Sequence, residues 1–247
     1  MDLLSLLGVT IAFAAIIAGN FLDGGSLGAL VNLPAALIVV GGTLGATILQ
    51  TPYGVLKRAG QLLGWMLFPP SVSEKALVKK IIVLSNIARK DGLLGLENVA
   101  DTEKDRLLRK GLLLLADGYE PERIRQRLEE EVEHQERQDS RAASIFDHMG
   151  GYAPTIGIIG AVMGLIHVMG NLDQPEKVGA GIATAFVATI YGVGLANLLL
   201  YPIAGKLREI LHDSMSSKTL LVEGVIAIAE GEHPKAIESR LNALMRS

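Results

Sequence analysis

The chain has 247 residues, 49% of them apolar and only 4% aromatic, with a formal charge of −3. The apolar residues fall in long uncharged blocks and not in amphipathic repeats, which points to a membrane protein. There is no cysteine, which excludes disulfides and thiolate metal sites; the five histidines form no H-x-x-x-H or H-E-x-x-H pair, so no zinc centre is expected.

In chain order, residues Leu3 to Leu22 read as a first membrane helix. They are preceded by no basic n-region, so the segment reads as a retained span and not a cleaved signal. Asp23–Ser26 is a turn signal. Leu27 to Gln50 reads as a second span, interrupted by Pro34 and by the small cluster Gly41, Gly42, Thr43 and Gly45, and closed by Thr51-Pro52. Pro69-Pro70 with Ser71 and Ser73 then punctuates the start of a folded helical loop. Within Lys75–Arg89, Leu77, Val78, Ile81, Ile82, Leu84 and Ala88 share a face, and Asp91-Gly92 ends the run. A second helical stretch covers about Thr102–Ala116, and Pro121 stands where a further helix begins.

From Pro121 the chain is highly charged until Gly151. It reads either as a solvated helix face with Glu–Arg support at i,i+4, or as a long helix rising into the bilayer and broken or bent near Gly150, Gly151 and Pro154. Tyr152–Leu172 and Val178–Pro202 are each about 20 residues without Asp, Glu, Lys or Arg, the length that crosses a bilayer. The short turn between them makes an antiparallel hairpin. Beyond Pro202 the fourth helix continues, followed by one or two amphipathic helices.

The expected fold is therefore an all-α membrane protein, with four transmembrane helices in two hairpins and a helical cytoplasmic subdomain. Its parts are residues 1–51 (first hairpin), 52–150 (cytoplasmic loop), 151–202 (second hairpin) and 203–247 (cytoplasmic C-terminal helices). Of 23 Lys and Arg, 16 lie between Pro52 and Gly151 and 6 after Pro202. Cytoplasmic loops carry such an excess, so both termini and the large loop are expected inside.

Gly157, Gly160 and Gly164 recur on the third span, and Gly181, Ala185, Ala188, Gly192 and Ala196 on the fourth. Small residues at such steps let helix backbones approach closely in lipid, and the hairpin is expected to be crowded by other helices. The spans hold no ionisable residue except His167, which reads as an interfacial or helix-pairing residue or as a relay. The hydroxyls of Thr155, Thr184 and Thr189 either line a path or bond their own helix carbonyls. Pro154 and Pro202 act as hinges, or simply start and stop helices. No phosphate loop, nucleophile elbow or carboxylate pair argues for an enzyme, and no basic patch with interleaved aromatics argues for nucleic acid.

The strings MDLLSLLG, ARKDGLLGLE, APTIGIIGAVMGL, ATIYGVGLANLLLYPIAGKL and LLVEGVIAIAEGEHPKAIESRL, taken jointly, resemble the flagellar stator A-subunits (MotA, PomA and MotC) within the wider MotA/TolQ/ExbB group. The resemblance covers nearly the whole chain. It implies a ring of five subunits in the bacterial inner membrane around two copies of a single-span, peptidoglycan-binding B-subunit (MotB, PomB or MotD-like). The B-subunit supplies the essential Asp, ions pass at the boundary between the two kinds of subunit, and cytoplasmic loops push on the rotor switch protein FliG. No cofactor is implied. On matching positions, Arg89 and Glu97 would engage the rotor, although the family's second acidic position is Asn98 here. Pro154 and Pro202 match prolines tied to torque, and Thr189 matches a hydroxyl near the ion path. The third-helix position that is Thr in sodium-driven relatives is Ala161, which favours protons. A TolQ/ExbB-like energiser, which lacks the N-terminal hairpin, and a non-conducting scaffold are the rival readings.

Overall fold

The computed structural model describes residues 3–70 and 73–245. Ser71, expected to help punctuate the loop, and the opening Met1-Asp2 lie outside the described residues. Every regular element among the described residues is helical, and the chain divides into two compact units, Met1–Pro69 with Asp139–Glu209, and Pro70–Gln138 with Ile210–Ser247.

In the first unit, α1 (Leu3–Leu22) ends in a turn with Gly24 at φ 77°, a left-handed conformation that glycine adopts without cost. Leu27–Leu30 forms one 3-10 turn, and the next helix begins only at α2 (Leu33–Ala36). Asn32 caps it by accepting a hydrogen bond from the Ala35 amide at 3.0 Å. Pro34 thus lies in the first helical turn, where its missing N–H leaves nothing unpaired. It opens the helix, and the expected interruption of the span falls just before it, at the extended residues Val31 and Asn32. The helix passes through a π-helical stretch (Leu37–Gly41) into α3 (Gly42–Gln50). After Thr51-Pro52 the chain enters α4 (Tyr53–Leu67), a helix that the sequence reading left unassigned.

α8 (Pro121–Met169) runs 49 residues through Gly150, Gly151 and Pro154, so the charged run does lead into a long helix, but the break expected near those residues does not occur. The Arg125–Glu129 and Arg137–Glu133 pairs at i,i+4 lie on it as well. α9 (Pro175–Gly194) starts at a proline with Glu176 in its first turn, both suited to a helix N-terminus, and so begins before the expected Val178. A second π-helical stretch (Leu195–Leu200) leads into α10 (Tyr201–Ala229). Pro154 and Pro202 are consequently inside continuous helical runs, which removes the start-and-stop reading. Each deprives the carbonyl four residues earlier, that of Gly150 or Leu198, of its usual partner. The π-helical stretch directly before Pro202 is where that ladder is rearranged.

Leu27–Gln50, Pro121–Met169 and Pro175–Ala229 each contain a segment long and apolar enough to cross a membrane; the apolar part of α1, Leu6–Leu22, is shorter. Ile158, Val162, Leu165 and Ile166 of α8 and Phe186, Ile190 and Val193 of α9 are exposed on the isolated chain, as residues facing lipid or a partner helix would be.

The second unit has its own apolar core. α5 (Glu74–Asp91), capped by Ser73, buries Leu77, Val78, Ile81 and Leu84, the face read from the sequence. α6 (Glu97–Thr102), α7 (Arg106–Ala116), α11 (Pro234–Leu244) and the flanking parts of α8 and α10 complete it, with Leu96, Leu108, Leu112, Ile124, Leu128, Ile226 and Ile237 almost wholly enclosed. Glu223 of α10 joins α8 to α11, accepting from Arg125 at 2.5 Å and Arg240 at 2.7 Å.

The stretch expected as one helix from Thr102 to Ala116 is divided at Glu103–Asp105. Asp105 caps α7 by accepting from the Leu108 amide at 2.9 Å, a local bond that competes with helix continuation. Glu103 is nearly buried in the break. Burial pushes its carboxyl up, but Lys80 at 2.6 Å and the Asp105 amide at 2.9 Å outweigh this and hold it below the usual carboxylate value. A carboxylate with a lowered folded pKa stabilises the fold above its unfolded pKa, and that stability is lost as pH falls through the folded value. Glu103→Gln is therefore expected to cost about 1–2 kcal/mol at neutral pH. The difference from the parent should shrink and disappear as pH falls through the lowered folded pKa of Glu103, as acid titration of thermal melts would show. A constant difference across pH would exclude this role.

Candidate functional site

The small residues of the second hairpin meet one another. A Cβ added at Gly157 would lie 2.8 Å from the Ala188 carbonyl oxygen; at Gly164, 2.8 Å from that of Gly181; and at Gly192, 2.5 Å from that of Ala153. α8 and α9 are therefore in backbone contact along a seam of glycine and alanine, the close approach that small residues permit. The faces expected to receive other helices are, at these positions, occupied by the hairpin's own partner strand of helix. Gly42 of α3 instead faces the side chain of Ile156, whose Cγ2 would lie 2.8 Å from an added Cβ.

Polar groups fasten the first hairpin onto α9. The Tyr191 hydroxyl donates to the Leu30 carbonyl at 2.5 Å and accepts from the Asn32 amide at 3.2 Å. Asn32 Nδ2 donates to Thr184 Oγ1 at 2.9 Å. Ala35 and Val39 pack against Val187 and Ala188 beside these bonds. Tyr191 was not singled out from the sequence; the available signal was a phenol in the middle of an uncharged span, where its O–H must find a partner.

The three threonines all bond their own helix: Thr155 donates to Tyr152 O at 2.8 Å, Thr184 to Ala180 O at 3.0 Å and Thr189 to Ala185 O at 3.2 Å. A hydroxyl whose proton is engaged this way still offers an acceptor lone pair outward. Thr155 and Thr189 are exposed on the isolated chain and Ala161 is half-buried, so the first two present acceptors on the outer faces of α8 and α9. His167 is exposed and lines a crevice of about 290 Å³ with Pro34, Ile38, Gly164 and Thr184. No group of three or more His, Asp or Glu among the described residues is placed to hold a metal ion.

Next to Pro154, Gln50 bridges two residues of α8, with Nε2 against His148 Nδ1 at 3.0 Å and Oε1 accepting from the Tyr152 hydroxyl. The ring of Tyr201 lies against Gly150, where an added Cβ would come within 2.7 Å of it. Deeper in the unit, Arg58 of α4 forms a two-pronged pair with Asp139 of α8, at 2.6 and 3.1 Å, and lies 5.0 Å above the Trp65 ring. Only 4% of the Asp139 side chain is exposed.

In the second unit, Arg89 closes α5 and Glu97 opens α6, each at the helix end that its charge favours. Both are exposed, as is Asn98, and among the described residues no ion pair engages either charge. They bracket the loop Gly92–Leu96.

Apolar spans that pack by glycine and hold hydroxyls but no carboxylate define a multi-pass helical membrane protein. The comparisons with known proteins are specific. Residues 6–92 match the family "Motility protein A N-terminal" and residues 99–219 match "MotA/TolQ/ExbB proton channel family". Motility protein A of Bacillus subtilis is 36% identical over 243 residues, covering 98% of this chain and 90% of that protein. Among solved structures, C. jejuni MotAB has a TM-score of 0.90 at 31% identity, covering 99% of this chain and 96% of the other. The MotAB stator complex of Bacillus subtilis has a TM-score of 0.85 at 35% identity, covering 97% and 95%. The chain belongs to the MotA/TolQ/ExbB proton channel family, and within it to the flagellar stator subunits of the inner membrane.

Proposed function

We propose that the chain is the A-subunit of a stator in which it forms, with a single-span peptidoglycan-binding B-subunit, a proton channel that drives the rotor. The observation that carries this reading is chemical: the spans contain no carboxylate, so the group that takes up and releases the ion belongs to another chain. In this reading five copies surround the B-subunit helices, four spans cross the membrane with both termini inside, and no catalysis or cofactor is involved. Thr189 and Thr155 offer acceptors along the ion path beside Ala161. Having one methyl instead of a hydroxyl, Ala161 supports protons over sodium, since a desolvated sodium ion needs several oxygens. Pro154 and Pro202 are the points where the helices yield, and Arg89 and Glu97 meet the rotor switch protein. One charge crossing about 150–200 mV releases roughly 3.5–4.6 kcal/mol, enough to break exposed ion pairs worth about 0–1 kcal/mol each. The match of residues 6–92 to a motility-specific N-terminal family favours a stator over a TolQ/ExbB-like energiser of the envelope.

Reconstituted alone in liposomes, the chain is expected to leave a proton gradient intact. With its B-subunit, freed of any plug, it should dissipate the gradient. Rapid proton leakage through the chain alone would overturn the reading.

A further inference from the structure

The loop between Arg89 and Glu97 is rigidly built. Gly92 stands at φ 77°, the Gly95 amide donates to the Gly92 carbonyl at 3.1 Å, and a Cβ on Gly95 would come 2.8 Å from that of Asp91. Leu96 is fully buried and Leu93 packs against the same core, so the loop is pinned from within. Leu94 between them is 71% exposed, against 58% for Val83, 41% for Leu244 and 38% for Leu113, the other large apolar residues exposed among the described residues of this unit. A single exposed leucine is ordinary on a protein surface. This one is held in a fixed position and flanked along the chain by an unpaired cation and an unpaired anion.

We infer that Leu94 is the apolar anchor of the rotor-facing surface. It fits a partner surface with an apolar pocket between an acidic group, facing Arg89, and a basic group, facing Glu97. The inference rests on the reading above that these two charges meet the rotor. Exposed charge pairs orient an encounter and speed it but add little affinity. In interfaces the affinity concentrates in a few side chains that enter pockets and are ringed by polar contacts. A pinned leucine between opposite charges has that arrangement, and it needs no ordering of the loop on contact.

The test uses the complete stator in cells lacking their own copy, with fluorescent units followed at motors under load and membrane levels measured in parallel. Leu94→Ala is expected to shorten the dwell of units at the rotor about tenfold at an unchanged membrane level. Leu94→Met should keep it within about twofold, and Leu113→Ala should match the parent. If Leu94→Ala dwells like the parent while Arg89→Glu fails to engage, the anchor is disproved and the rotor reading survives. If both variants engage normally, both readings fall. A loss of dwell that Leu94→Met shares in full would also rule out the anchor, since the apolar contact would then not be what was lost.

Discussion

Gly192→Val is expected to prevent the α8–α9 hairpin from closing. The added Cβ would lie 2.5 Å from the Ala153 carbonyl oxygen and 3.1 Å from the Pro154 Cα, and both are backbone atoms of a helix. No side-chain rotation relieves such a contact, so one helix must shift along its length. Overpacking of this kind costs about 3 kcal/mol or more when the obstacle is rigid. It is also placed against the proline at which α8 lacks a backbone bond. Gly205→Ala supplies the contrast. Nothing lies within 4 Å of its added Cβ, and replacing a helical glycine there should be neutral or stabilise by about 0.5–1 kcal/mol. Thermal melts in detergent and membrane levels in cells measure both. Parent-like stability of Gly192→Val would show that the seam is not backbone-tight.

Arg58→Ala is expected to destabilise the first unit by about 3–5 kcal/mol, because it leaves the Asp139 carboxylate buried without its partner. The double substitution Arg58→Met with Asp139→Leu should recover most of that loss, since an apolar pair carries no desolvation cost. Arg58→Lys should not recover it: an ammonium cannot make both bonds to the carboxylate or stack over Trp65. The exposed pair Arg137–Glu133, 3.4 Å apart with more than half of each side chain in solvent, predicts a change within about 1 kcal/mol for Arg137→Ala. If Arg58→Ala proves as mild as Arg137→Ala, the pair is a surface feature and the argument from burial is wrong.

Asp139 shows why part of the site was not legible beforehand. In sequence it is one acid in a run of charged residues, and nothing local distinguishes it from Glu133 or Glu136, which stay exposed. Its burial depends on an arginine 81 positions earlier, on a helix that follows a span so closely that Pro52 read as an end. The glycine seam is similar. Spacing showed that the small residues share helical faces but not what those faces meet, and much of their task is to join the hairpin to itself. The two prolines could not be assigned from sequence because a proline within a helix and one at its end differ only in what replaces the lost bond.

The long apolar segments and the amphipathic face of α5 were set by sequence alone, because solvent preference and helical period act over neighbouring residues, whereas Arg89 and Glu97 stood out only through the family resemblance. The backbone contact of α8 with α9, the anchoring of the first hairpin by Tyr191 and the enclosure of Asp139 were decided only by the tertiary structure. Each depends on which surfaces meet across tens of residues, and short-range chemistry along the chain carries no record of that.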